Sequence, residues 1–148
     1  MIIKILIWML ILAFFHARQE IEIEGKAGWA GHLPTFRINV FFRKLLGGKA
    51  LTGYHLYMII LFITIFHGAF LFIKWSWEME CKLIALLCWY FVVEDFLWFL
   101  SNKNYRWRKF WQQKIEWHKR WFLHLPVSYW GAIILGIILF TIKTKGGK

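Results

Sequence analysis

Four apolar runs divide this chain and limit its fold more than any other feature: Met1–Ala17, Tyr54–Ile73, Leu83–Leu100 and Val127–Ile142. Each is close to the roughly 17 to 25 residues needed to cross a ~30 Å hydrocarbon layer. Backbone groups in that layer must be satisfied within the segment, so runs of this kind become helices. The fourth run is short and is completed by Leu123 and Leu125. The expectation is an all-α polytopic membrane protein, a four-transmembrane-helix bundle with spans at about 1–17, 54–73, 83–100 and 123–142. One integral domain covers 1–148. Composition agrees, because 59% hydrophobic residues with 11 Trp and 15 Phe exceed what a soluble chain of 148 residues can bury. The first run carries an early Lys4, as a signal peptide would. No small-residue cleavage site follows Phe15, since His16, Ala17, Arg18 and Gln19 come next, so it reads as a retained helix.

Charge predicts orientation. The chain has 19 Lys and Arg against eight Asp and Glu, and thirteen of those cations fall in two loops, His16–Gly53 and Ser101–Pro126. By the positive-inside bias these loops are cytoplasmic and both termini lie outside a cytoplasmic membrane. Lys143, Lys145 and Lys148 in the tail run against that assignment. The basic loops should attract anionic lipid headgroups, at about 1 kcal/mol per nearby cation. Nucleic acid is excluded as a partner, because the basic residues are interleaved with Trp and Phe on segments pinned to the bilayer.

Both loops carry amphipathic patterns. From Tyr105 to Phe122, Trp107, Phe110, Trp111, Ile115, His118, Trp121 and Phe122 recur at helical spacing with cations between them. This predicts an interfacial helix at about 105–122 with His118 on its buried side. Its Arg106, Arg108, Lys109 and Trp111 are candidates for binding a substrate headgroup. A shorter interfacial helix is predicted at about 36–46, ended by Gly47 and Gly48. The preceding Gly25–Thr35 segment, with glycine at every third position, predicts an irregular, closely packed turn. Thr52 is a candidate N-cap for the second span.

Ionisable groups inside a span cost about 2.5 to 3.5 kcal/mol each and are by default functional candidates. Glu94 and Asp95, in the third span, are the candidate catalytic pair. Most histidines are predicted at the same depth. His16 ends the first span and continues as an i, i+4, i+8 ladder through Glu20 and Glu24 if the helix extends. His55 opens the second span, His118 lies on the interfacial helix and His124 precedes the fourth span. Imidazole with carboxylate is a ligand set for iron, zinc or manganese, which makes His16, Glu20, His55, His118 and His124 candidate ligands. The alternation in Glu20-Ile21-Glu22-Ile23-Glu24 also suits an extended strand, which would break the ladder.

Other motifs are sparse. His67 lies 12 residues past His55, ~18 Å along a helix, and is expected to bond a neighbouring carbonyl, Trp75 or Trp77. Cys81 and Cys88 form no CxxC motif. GxSxG, SxxK, HExxH and Walker patterns are absent, as are the HxxxH and HxxHH boxes of membrane hydroxylases and desaturases; the closest two histidines, His118 and His124, are six residues apart. The sequence therefore points to a metal-dependent membrane enzyme, an oxidoreductase or hydrolase, acting on a lipid or other apolar substrate at the cytoplasmic leaflet. The alternative is a non-catalytic scaffold or lipid-binding protein, in a homo-oligomer or larger complex, whose polar residues form a structural ion-pair network. A proton or ion transporter subunit is a third class, disfavoured by long apolar stretches without relay groups.

Overall fold

The computed structural model describes residues 2–25, 27–39, 49–105 and 107–143. The protein is mostly helical. Its elements are α1 (Ile2–Glu24), β1 (Arg37–Ile38), β2 (Leu51–Thr52), α2 (Gly53–His67), α3 (Trp77–Ser101), α4 (Trp107–Trp111), β3 (Trp121–Phe122), β4 (Leu125–Pro126) and α5 (Val127–Thr141). A 3-10 turn, Gly68–Leu71, prolongs α2. Among the described residues, two helical stretches are long and apolar enough to cross a membrane, Gly53–Leu71 and Trp77–Ser101. α5 is equally apolar in character but has only 15 residues, about 22 Å of rise. α1 is interrupted by Lys4 and turns polar from His16 onward.

α3 is the central helix, packed mainly against α1 and α5 and more lightly against α2. Two apolar clusters stack along it. One joins Met9 and Ala13 of α1, Phe62 and Phe66 of α2, and Leu83, Leu87 and Tyr90 of α3. The other joins Ala17 and Ile21 of α1, Trp98 and Phe99 of α3, Tyr129 of α5 and the loop residues Tyr105, Phe110, Ile115 and Trp117. Between them along α1 and α3 come His16, Glu20 and Glu94, a polar layer with apolar packing on both sides.

Local chemistry explains the element boundaries. α1 runs unbroken to Glu24, so the alternating segment 20–24 is helical and the ladder is intact. The Thr52 hydroxyl accepts from the His55 backbone N–H, capping α2 as its residue type predicts. The Ser76 hydroxyl does the same for α3 through Met79. Asn102 ends α3 and is almost fully buried. Its amide donates to the Gly25 carbonyl and its side-chain oxygen accepts from the Asn104 and Tyr105 backbones, tying the two loops together.

Three expectations are corrected. The interfacial helix at 105–122 is only α4, five residues long; Gln113 has φ +57°, and the chain then turns back. The helical spacing is present in the sequence, but the chain folds back so that Tyr105, Phe110, Ile115 and Trp117 converge on Trp98 and Phe99, forming an aromatic cap over this end of α3. The helix at 36–46 begins instead as β1, which pairs antiparallel with Leu51–Thr52; residues 40–46, with Gly47, Gly48, Lys26, Arg106, Lys145 and Lys148, lie outside the described residues. Leu123 and Leu125 do not extend α5, as the expected span at 123–142 required. They belong to the β3–β4 hairpin, whose turn residues Leu123 and His124 both have positive φ, and Pro126 stands at the N-cap of α5.

Candidate metal centre

α1 supplies the ladder. His16, Glu20 and Glu24 lie one turn apart on one face, and all three line a cavity of about 350 Å³ together with His55 of α2 and Glu94 and Asp95 of α3. Trp29, Leu51, Met58, Ile59, Phe91, Trp98 and Trp117 form its apolar walls. The structure thus brings together five of the sequence-predicted candidates, His16, Glu20, His55, Glu94 and Asp95, and adds Glu24.

His16, Glu20 and Glu94 offer one ligand atom each, all within 4.8 Å of one another. His16 Nε2 lies 3.8 Å from Glu20 Oε1, and His16 Nδ1 lies 3.9 Å from Glu94 Oε1. Bonds of ~2.1 Å at tetrahedral angles set ligand atoms ~3.4 Å apart, so small side-chain movements close the set on an ion. The Tyr90 hydroxyl shares a hydrogen bond of 2.9 Å with His16 Nδ1, and Phe62 packs on the imidazole at 4.2 Å between ring centres. Such a bond fixes the ring, with Nε2 toward Glu20 and Nδ1 toward Glu94.

Four buried polar side-chain atoms here have no hydrogen-bond partner: His16 Nε2, Glu94 Oε1, Tyr54 Oη and Trp98 Nε1. His16 and Glu94 are 4% and 5% exposed. Burying a donor or acceptor unpaired costs about 1–3 kcal/mol, and three of the four residues, His16, Glu94 and Trp98, line this cavity. The Tyr54 hydroxyl lies against the Glu20 carboxyl, which also faces the Glu94 carboxyl.

Glu24 and His55 occupy the other end of the cavity, with His55 Nε2 at 3.5 Å from Glu24 Oε1. Thr52 Oγ1 bonds His55 Nδ1 at 2.6 Å, and Trp29 stacks on the imidazole at 4.5 Å. Glu24 also accepts the Ala30 backbone N–H at 2.5 Å. That contact is reached because Gly28, Trp29 and Ala30 are all left-handed, with φ of 57°, 49° and 50°. Left-handed backbone costs non-glycine residues roughly 1–2 kcal/mol each, so this loop stores strain beside the cavity. Gly28 is required twice over, since a Cβ there would meet the Trp117 ring at 2.5 Å.

Glu20 and Glu24 lie beyond the apolar run that ends at Ala17. Burial raises the Glu20 carboxyl well above its usual range, helped by the neighbouring Glu24 and Asp95 charges. Burial likewise raises Glu24 to about 7, against the opposing bond from the Ala30 backbone.

The remaining candidates are placed elsewhere. Asp95 Oδ2 accepts from the Tyr129 hydroxyl and bonds His118 Nε2 at 2.8 Å. His118 is thus a partner of Asp95 and does not line the cavity. His124 is exposed at the hairpin turn, away from the centre, because β3 and β4 reverse the chain there. Arg108, Lys109 and Trp111 are exposed on α4 and outside the cavity wall, and Lys109 sits over the Tyr105 ring. Tyr90, Thr52, Tyr54 and Trp29 complete the site without having been singled out for it. Tyr90 alone had a signal, standing four residues before Glu94 on one helix face.

No protein-family model, curated protein or solved structure matches the chain.

Proposed function

We propose that this chain is an integral membrane enzyme that holds a divalent ion of iron, zinc or manganese through His16, Glu20 and Glu94 and acts on a lipid or another apolar substrate. The observation that carries this reading is the group of orphaned buried atoms beside a cavity, since unpaired polar atoms at this burial are retained where they bind something. One imidazole and two carboxylates suit those metals. When bound, the ion supplies Lewis-acid polarisation or activation of water or dioxygen. The protein's own residues do the positioning. Tyr90 fixes the His16 ring, Phe62 and Phe91 exclude water, and Asp95, anchored by Tyr129 and His118, presents its second oxygen as a proton acceptor at the cavity wall.

An apolar substrate is supported by a second groove of about 630 Å³ on the outer face of α2, lined by Phe36, Tyr54, Tyr57, Met58 and Leu61 among others. Met58 lines both spaces, so an acyl chain lying along α2 would bring its polar end toward the ligands. In this reading α1 and α5 join the two longer apolar helices as four spans, the basic loops face the cytoplasmic leaflet, and their cations hold anionic headgroups.

Elemental analysis of the detergent-purified full chain tests the proposal. Wild type should carry stoichiometric metal and Glu94→Gln should lose it. A metal-free wild type that also fails to take up Mn(II) or Zn(II) would overturn it.

The structural reading has one observation of its own. Glu24 captures the backbone of the strained 28–30 loop, which is what a carboxylate retained for folding does. In that case the glutamates are protonated, and His16→Ala would cost stability while leaving metal content at zero throughout.

A further inference from the structure

The cavity contains the same arrangement twice. At one end a hydroxyl (Tyr90) bonds His16 Nδ1, an aromatic ring (Phe62) packs on the imidazole, and Nε2 faces a carboxylate of α1 (Glu20). At the other end a hydroxyl (Thr52) bonds His55 Nδ1, an aromatic ring (Trp29) stacks on the imidazole, and Nε2 faces a carboxylate of α1 (Glu24). The two carboxylates are separated by one helical turn, which puts their Cβ atoms about 5–6 Å apart. We infer that the centre is dinuclear: a second divalent cation sits at Glu24 and His55, and Glu20 is shared between the two ions. The inference rests on the metal reading above and adds a second site to it.

The donor inventory of the cavity gives further support. Four carboxylates line the cavity and no Lys or Arg does so among the described residues. Asp95 has its own partners in Tyr129 and His118. Lys49, the cation that acts on Glu24, is held by Glu116 at 2.8 Å. That leaves Glu20, Glu24 and Glu94. All three face one cavity with no cation in its lining, one carboxylate more than a single ion held by His16, Glu20 and Glu94 uses. The spacing also fits, since two-metal sites place their ions about 3.5–4 Å apart, within the reach of carboxylates one turn apart on a helix.

The test uses the full chain in detergent, stripped with a chelator and titrated with Mn(II) alone. Two Mn(II) per chain are expected, with an exchange-coupled electron paramagnetic resonance signal. His55→Ala should reduce the stoichiometry from two to one and convert the signal to that of an isolated ion. One Mn(II) per chain in wild type, unaffected by His55→Ala, would overturn the second site and leave the first standing. No binding at all would remove both. If His55→Ala does not fold, Thr52→Val replaces it, with a 10–100-fold weaker second ion as the expected result, and the wild-type stoichiometry decides by itself.

Discussion

Two histidine–carboxylate groups, His67 with Glu80 and His16 with Glu94, are built from the same residue types, their glutamates about 21 Å apart along α3, and they differ in how completely they are paired. At the outer one, His67 Nδ1 bonds the Ile63 carbonyl at 2.7 Å and Nε2 bonds Glu80 at 2.9 Å, while the Trp75 indole donates to the other Glu80 oxygen. Every polar atom of that pair has a partner within the chain, and His67 is about one-third exposed. At the inner one, His16 and Glu94 are nearly inaccessible and each keeps an atom without a partner. Residue type is thus a poor guide to function, and completeness of pairing under burial is a better one. The satisfied pair clips α2 to α3, whereas the unsatisfied one is where the proposed ion would sit.

The largest expected difference between the two comes from removing metal. Occupancy at 1,000 times Kd stabilises a protein by about 4 kcal/mol, so stripping the inner centre should lower Tm by on the order of 10 °C. Thermal scans with and without chelator measure this, and the Glu80→Gln protein should show the same drop because the outer pair holds no ion. Equal Tm values with and without chelator in wild type would break the comparison.

Next in size is Tyr90→Phe. It deletes only the hydroxyl that orients His16, and such outer partners are worth 10–100-fold in metal affinity. Mn(II) titration should show a loss in that range, with the helical circular dichroism spectrum unchanged.

Proton linkage sharpens the contrast further. In the metal-free protein Glu24 is raised to about 7 from an ordinary 4.5. A raised carboxyl contributes stability that is complete below pH 4.5 and is lost as pH climbs through 7. The groups acting on Glu24 are the Trp29 and Ala30 backbone on its loop, Lys49, and Asp95 of α3, with His55 of α2 opposite. Metal-free wild type should therefore melt lower at pH 8 than at pH 5, and Glu24→Gln should reduce that dependence, leaving the part that the raised Glu20 carboxyl contributes. Exposed Glu116 has the opposite sign, because Lys49 lowers its carboxyl. Its stabilising effect is present near neutrality and lost in acid.

The smallest effect belongs to the outer pair itself. Glu80→Gln should cost no more than about 1 kcal/mol, as exposed ion pairs do, and leave Mn(II) stoichiometry unchanged.

What could be read from the sequence follows from how local each feature is. The His16, Glu20, Glu24 ladder is an i, i+4 relation within one helix, and it is there. Thr52 caps α2 through a residue three positions on, and that too was legible. The bonds that define the centre's ends join distant segments, Tyr90 to His16 and Trp29 to His55, so no spacing rule reveals them. His124 was misplaced because two-residue hairpin turns are usually signalled by Asn or Gly, and Leu123–His124 adopts positive φ without either. The 105–122 helix failed for a related reason: tertiary packing of Tyr105 and Trp117 against Trp98 outweighed a helical pattern that describes only one segment at a time.

Ala13 and Ala17 are completely buried on α1, four residues apart, and paired small residues let helix backbones approach closely. Three proposed ligands ride on that same rod, so the two methyl groups calibrate how far His16, Glu20 and Glu24 stand from α3. Ionic radius is discriminated by such distances, with Mg²⁺–oxygen bonds at ~2.0–2.1 Å against ~2.3–2.6 Å for Ca²⁺. If the proposed centre holds an ion, its metal preference should therefore be tunable from positions that never touch the ion, by one carbon more or less at either alanine.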